Sequence, residues 1–153
     1  MSSIRITTAC GVYFNDSLLM VREKQENREV LDIPAGGLHA NEDVLGCVKR
    51  EVLEETGVTI QNPSLKAVFQ VIEPNQTTIN FLFTEILHER PILNSSRSVI
   101  GEDISDVMFL PIKEIQEKVS TQPELFEHAL ARKRLELLLA KDVSPNSVIM
   151  VTL

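Results

Sequence analysis

The sequence contains no tryptophan and a single tyrosine, and aromatic residues amount to only 5% of it. That scarcity disfavours a ligand site built on stacked rings, because Tyr13, Phe14, Phe69, Phe81 and Phe83 all stand in short apolar stretches where a strand core needs them. Cysteine is also rare. Cys10 and Cys47 lie far apart and form no Cys-x-x-Cys or Cys/His zinc spacing, which points to small buried side chains in a reducing, cytoplasmic setting. No apolar run approaches the length of a membrane span, and the opening MSSIRITTAC lacks a charged head followed by an apolar run. Neither a membrane helix nor a secretory signal is therefore expected. Positive charge is in deficit, with 15 Lys and Arg against 22 Asp and Glu and a formal charge of −7. This balance disfavours nucleic acid as a partner held on a broad basic face, and an anionic ligand would need a local counter-charge such as a cation.

What remains is globular composition, 43% hydrophobic and 24% charged over 153 residues, which predicts a single domain spanning residues 1–153. The apolar stretches 4–14 and 17–22 flank Asn15-Asp16 and predict a hairpin. Residues 23–29, EKQENRE, read as a loop, followed by a strand at VLDIP and a turn at PAGG. A helix is expected at about 42–56, stopped by Gly57 in the C-cap position. Beyond it VTI, LKAVFQVIE, TINFLFTEIL and ISDVMFLP read as strands. Pro111 is placed to start a short helix. Residues 122–141 then read as one amphipathic helix, with Leu125, Ala129, Arg132 and Glu136 on a mixed stripe. The tail SPNSVIMVTL is expected to be a last strand or a docked extension.

The segment REVLEET, residues 50–56, sets three glutamates beside an arginine. On a helix, Val44, Val48, Glu51 and Glu55 share one stripe, so the acids border the core side rather than the solvent side. Glu54 lies to one side of Glu51, next to Arg50. Like charges at i and i+4 repel, by a few tenths of a kcal/mol when exposed and by more where water is scarce. Arg50 supplies one positive charge, but several oxygens converging at a half-buried helix end suit a hard divalent cation, most simply Mg²⁺. The glycines of PAGG allow close backbone approach, where an adjacent carbonyl could join the coordination. Asn41, Glu42 and Asp43 suit a helix N-terminus.

Gly36, five residues, Glu42, seven residues, Arg50-Glu51-Val52, one residue, Glu54-Glu55, one residue and Gly57-Val58 match the Nudix box at every fixed position. The chain thus resembles the Nudix hydrolases from the TTACGV strand through DISDVMFLP. That resemblance implies an α/β fold, a Nudix-type α/β/α sandwich around a mixed β-sheet with a loop-helix-loop catalytic motif. It also implies Mg²⁺-dependent hydrolysis, with Mn²⁺ as the alternative ion, of a nucleotide or related small-molecule pyrophosphate, by a monomer or homodimer. Carried over by residue, Glu51, Glu54 and Glu55 would hold metal together with the Ala35 carbonyl. Glu51 or Glu54 would act as general base and Arg50 would orient the acids, with Gly36, Gly37, Glu42 and Gly57 shaping the motif. Glu102 or Asp103 would be a late acid.

The order ACGV, IPAGGL, REVLEETGV, INFLFTEIL, DISDV is most similar to the NudJ-type branch, associated with nucleoside tri- and diphosphates and thiamine-pathway pyrophosphates. PAG before the box is also similar to ADP-ribose pyrophosphatases, whose longer N-terminal region has no counterpart here. That activity, extended to nucleotide sugars, is the alternative; a non-catalytic nucleotide-binding regulator is the rival, though such a rival is expected to have lost box acids and none is lost. His39 stands where relatives often carry an acid, and Asn41 where many carry glycine. Arg22, Lys24, Arg28 and His39 are the candidate phosphate contacts. His88 and His128 have no partner recognisable in the sequence.

Overall fold

A computed structural model of the protein describes residues 3–94, 104–140 and 148–150. Twelve elements follow in order: β1 (Ser3–Phe14), β2 (Ser17–Gln25), β3 (Arg28–Asp32), β4 (Ala35–Gly37), α1 (Val44–Thr56), β5 (Ser64–Glu73), β6 (Gln76–Leu87), β7 (Ile104–Pro111), α2 (Ile112–Thr121), a 3₁₀ turn (Pro123–Phe126), α3 (Ala129–Leu139) and β8 (Val148–Met150). The strands form one mixed sheet in the order β3-β2-β1-β6-β5-β8, with β4 added to β1 and β7 to β2. Its centre is the parallel ladder of β1 on β6, from Ser3 opposite Gln76 to Phe14 opposite Leu87.

Alternation along the strands divides the core between two faces. Ala9, Leu18, Met20 and Leu82 pack with Ile115 of α2, Phe126 of the 3₁₀ turn and Leu135 and Leu138 of α3. Their neighbours Cys10, Val12, Leu19, Val21 and Phe83 pack with Val48 and Val52 of α1. Helix α1 therefore covers one side and α2 and α3 the other, the α/β/α sandwich that the box implies. α3 approaches β1 closely: a Cβ on Gly11 would come within 2.8 Å of the Leu138 side chain.

The hairpin at Asn15-Asp16 is present, with Phe14 opposite Ser17 and Asn15 at φ 50°. Four expectations are corrected. Residues 23–29 are not a loop: β2 runs to Gln25, and Glu26-Asn27 turns into β3 with Arg28 opposite Gln25. The polar composition reflects a hairpin end in water. VTI is not a strand; it follows the helix as irregular chain whose Val58 and Ile60 are buried under α1. The helix at 42–56 begins at Val44, because Asp43 is its N-cap and Asn41 has φ 64°. Residues 122–141 are broken at Glu127-His128, and the buried residues of α3 are Ala131, Arg134, Leu135, Leu137 and Leu138, while Ala129, Arg132 and Glu136 face solvent. The tail contributes β8, parallel to β5.

Candidate active site

The site is assembled by the ends of α1. At its start the Asp43 carboxylate accepts from Gly46 N–H at 2.6 Å, meeting one of the donors that a helix leaves open. At its finish Gly57 takes φ 75° and its N–H donates to Leu53 O at 2.9 Å, a left-handed cap that a side chain would strain. The helix so bounded buries Cys47, Val48, Glu51, Val52, Glu55 and Thr56. Glu51 is 6% exposed and Glu55 1%, so the acids do lie on the valine side.

Arg50 gathers the carboxylates. Its Nε and Nη2 donate to the two oxygens of Glu42 at 2.8 and 2.9 Å, a bidentate pair. Its Nη1 donates to Glu51 Oε1 at 2.6 Å and Glu54 Oε2 at 3.2 Å, and Nη2 also reaches Gly37 O at 3.0 Å. These hydrogen bonds hold the Glu42 carboxyl down to about 2 and raise the guanidinium further above its ordinary value. Glu42 also accepts from His39 N–H at 3.1 Å, which ties the loop ahead of the helix to the same arginine. Glu54 is the most solvent-exposed of the three box acids, its side chain 38% exposed.

The loop at Ala35–Gly36 closes the site. Ala35 N–H donates to Glu55 Oε2 at 3.1 Å, and a Cβ on Gly36 would overlap the Glu51 carboxylate. β4 fixes this loop by pairing Gly36 with Thr8 and Ala35 with Ala9 of β1. Beneath it the buried Cys47 thiol, its pKa raised by desolvation, accepts from Thr8 Oγ1 at 3.1 Å.

These are donors suited to a hard divalent ion: carboxylate oxygens on successive turns of one helix, with Ala35 of the loop against Glu55. As they stand they are turned toward Arg50 and the Ala35 N–H, and among the described residues no cluster of three acidic, imidazole or thiol side chains is already closed around an ion position. The donor chemistry of these carboxylates fits a divalent cation.

A cavity of about 140 Å³ shares this loop, lined by Ala35 and Gly36 together with Arg5, Glu23, Gln25, Asp32, His128 and Arg134. Arg134 donates to Asp32 Oδ2 at 2.7 Å in a buried ion pair, and Ile33 N–H donates to Asp32 Oδ1 at 2.7 Å. Sequence reasoning missed Asp32, His128 and Arg134. The signal was there for two of them, a charge inside the apolar strand VLDIP and another inside the apolar side of α3, each needing a partner once buried. The candidate phosphate contacts are placed elsewhere: Arg22 pairs with Glu29 at 3.3 Å, Arg28 with Glu127 at 2.6 Å, and neither they nor Lys24 line this cavity. Glu102 and Asp103 lie outside the described residues.

A family model, the NUDIX domain, matches residues 5–129. The chain belongs to the NUDIX domain family. This NUDIX chain is 34% identical over 79 residues to Phosphatase NudJ of Escherichia coli (strain K12), a match covering 51% of this chain and 52% of that protein. It thus spans about half the length of the curated relatives it matches. In fold it is similar to a NUDIX hydrolase from Nitrosomonas europaea, with a TM-score of 0.70 and 23% identity over 88% of this chain and 87% of that one. A MutT protein from Bacillus halodurans superposes with a TM-score of 0.61 and 25% identity, over 82% of each chain. No helix of the NUDIX chain is long and apolar enough among the described residues to cross a membrane.

Proposed function

We propose that the protein is a Mg²⁺-dependent hydrolase that cleaves the pyrophosphate bond of a nucleoside di- or triphosphate, or of a related small-molecule pyrophosphate, by attack of water on phosphorus. The observation that carries this reading is the Arg50 node, which holds Glu51 and Glu54 on one side and Glu42 on the other while Glu55 is held by the box loop.

Glu51, Glu54, Glu55 and the Ala35 carbonyl would hold the ion, with Mn²⁺ as a substitute. When bound, it neutralises charge on the phosphate oxygens and lowers the pKa of the attacking water. Glu54, the most exposed of the acids, and Glu51 are the groups able to take the proton of that water. Arg50 donates to both carboxylates and so aims them. Glu42 keeps Arg50 in place and does not itself reach the substrate. His39, on the exposed loop before the helix, is the candidate phosphate contact nearest to these acids in the chain.

The test is a phosphate-release screen with Mg²⁺ across nucleoside di- and triphosphates, ADP-ribose, thiamine pyrophosphate and dinucleoside polyphosphates. Glu54→Gln and Glu55→Gln serve as controls. Hydrolysis by the wild type that falls at least about 100-fold in the controls supports the reading. Equal release by wild type and controls sinks the site; strong preference for ADP-ribose moves the substrate class and keeps the chemistry; binding of nucleotide without hydrolysis turns the protein into a regulator.

A further inference from the structure

The two glycines of β4 turn opposite faces, as neighbours on a strand do. A Cβ on Gly36 would overlap the Glu51 carboxylate, whereas one on Gly37 would point at Arg5, 3.7 Å from Nη2 and 3.9 Å from Nε. The Arg5 guanidinium therefore lies over bare backbone, one residue along from the glycine that Glu51 fills. Strand pairing keeps it there: Gly37 is opposite Thr7 of β1, and Leu38 N–H donates to Ile6 O at 3.0 Å. Arg50 reaches the same glycine, donating from Nη2 to Gly37 O at 3.0 Å. Arg5 lines the cavity together with Ala35 and Gly36 and is itself an exposed residue.

The charges of the lining single this residue out. Arg134 is held by Asp32 at 2.7 Å in the buried pair, and His128, whose pKa burial lowers, adds no positive charge at neutral pH. That leaves Arg5 and Glu23. Glu23 stands on β2 opposite Val30 of β3, while Arg5 stands on β1, the strand that β4 joins; the charge beside the box loop is the positive one. Arg22, Arg28, Arg50 and Arg134 are each engaged in an ion pair, and among the described residues Arg5 is in none. A guanidinium open to solvent offers two parallel donors that match two oxygens of a phosphate. We propose that Arg5 is a substrate-binding residue that holds the pyrophosphate from the cavity side, donating to non-bridging oxygens of the phosphate farther from the box acids. It takes the part that sequence reasoning gave to Arg22 and Arg28, both of which are committed to glutamates. This inference rests on the function proposed above, which sets the other phosphate against the box acids.

Titration calorimetry with methylenediphosphonate in the presence of Mg²⁺ tests it, because the P–C–P bridge of that probe is not hydrolysed and it carries no organic group. Arg5→Gln is expected to weaken binding about tenfold or more, and Arg5→Glu about threefold or more beyond that, since the charge facing the phosphate is first removed and then reversed. Arg132→Gln makes the same loss of charge on the solvent side of α3 and is expected to bind within about twofold of wild type. Arg5 is exposed, so thermal melts of its variants are expected to stay within about 2 °C of wild type. Binding to Arg5→Gln within twofold of wild type, equal binding by the glutamine and glutamate variants, an equal loss in Arg132→Gln, or no binding by wild type overturns the role of Arg5. A failed hydrolysis screen alongside the expected order of affinities overturns the proposed chemistry and leaves that role standing.

Discussion

Gly36 has no side chain where the Glu51 carboxylate lies, and a Cβ at that position would overlap the carboxylate carbon and both oxygens. Gly37, the next residue, is different: its added Cβ would meet only the end of the Arg5 side chain, at 3.7 Å. Gly36→Ala is therefore expected to displace Glu51 and lower hydrolysis about 100-fold, the usual consequence of misplacing a catalytic group by about 1 Å. Gly37→Ala is expected to stay within about threefold of wild type. Steady-state kinetics on the substrate identified by the screen, run on both variants, checks the contrast; similar losses in both would show that the steric argument is wrong.

Arg50→Lys should not be conservative. The guanidinium serves Glu42, Glu51, Glu54 and Gly37 O in one plane, a fork that an ammonium cannot reproduce. The lysine variant is expected to lose about 1–3 kcal/mol of stability, the cost of charge-assisted hydrogen bonds left unmade, and most of its activity. Urea denaturation and turnover measured on the same preparation check this.

Acid should erase one part of that stability selectively. The carboxyl of Glu42 is held at about 2 rather than its ordinary 4.5, first by hydrogen bonds from Arg50. A depressed folded-state pKa contributes stability that is complete above the unfolded value and is lost as pH falls through the folded one. The stability gap between wild type and Glu42→Gln should thus be full at neutral pH and shrink from about pH 4.5 toward pH 2. A gap that stays constant over that range, read from denaturation midpoints without added metal, would falsify the assignment.

The Asp32–Arg134 pair is buried on both sides, with side chains 12% and 5% exposed. Removing one partner leaves an uncompensated charge, so Asp32→Ala should destabilise by about 3–5 kcal/mol. Replacing both, as in Asp32→Leu with Arg134→Met, should recover much of that loss. A double-mutant cycle in urea supplies the coupling; additive losses would mean that the two side chains do not depend on one another.

The caps of α1 offer a milder test. Asp43→Ala should cost about 1 kcal/mol, a fall in Tm of roughly 2–4 °C for a chain of this size. Gly57→Ala should cost more, because the residue sits at φ 75° and an added Cβ would come within 2.8 Å of Asn94. Thermal melts ranking the two the other way would contradict the cap geometry.

Local chemistry was readable directly. Asn15-Asp16 between apolar stretches turned as expected, Gly57 capped its helix, and the i, i+4, i+7, i+11 stripe placed Glu51 and Glu55 on the buried side of α1. Each depends on residues within a turn or two of one another, where φ/ψ preference and helical period act alone. The errors arose where partners are distant. Polar EKQENRE is the end of the β2–β3 hairpin, whose inner part β7 also pairs from Ser17 to Glu23, and VTI is buried without a ladder because α1 covers it. Asp32 and Arg134 are 102 positions apart, and neither charge reveals its partner locally. The sequence by itself determined the helix α1 and the side on which its acids lie, because their spacing is a property of a single segment. Only the tertiary structure decided why Gly36 must be bare against Glu51 and which buried arginine pairs with Asp32, because those depend on strands and helices brought together from separate parts of the chain.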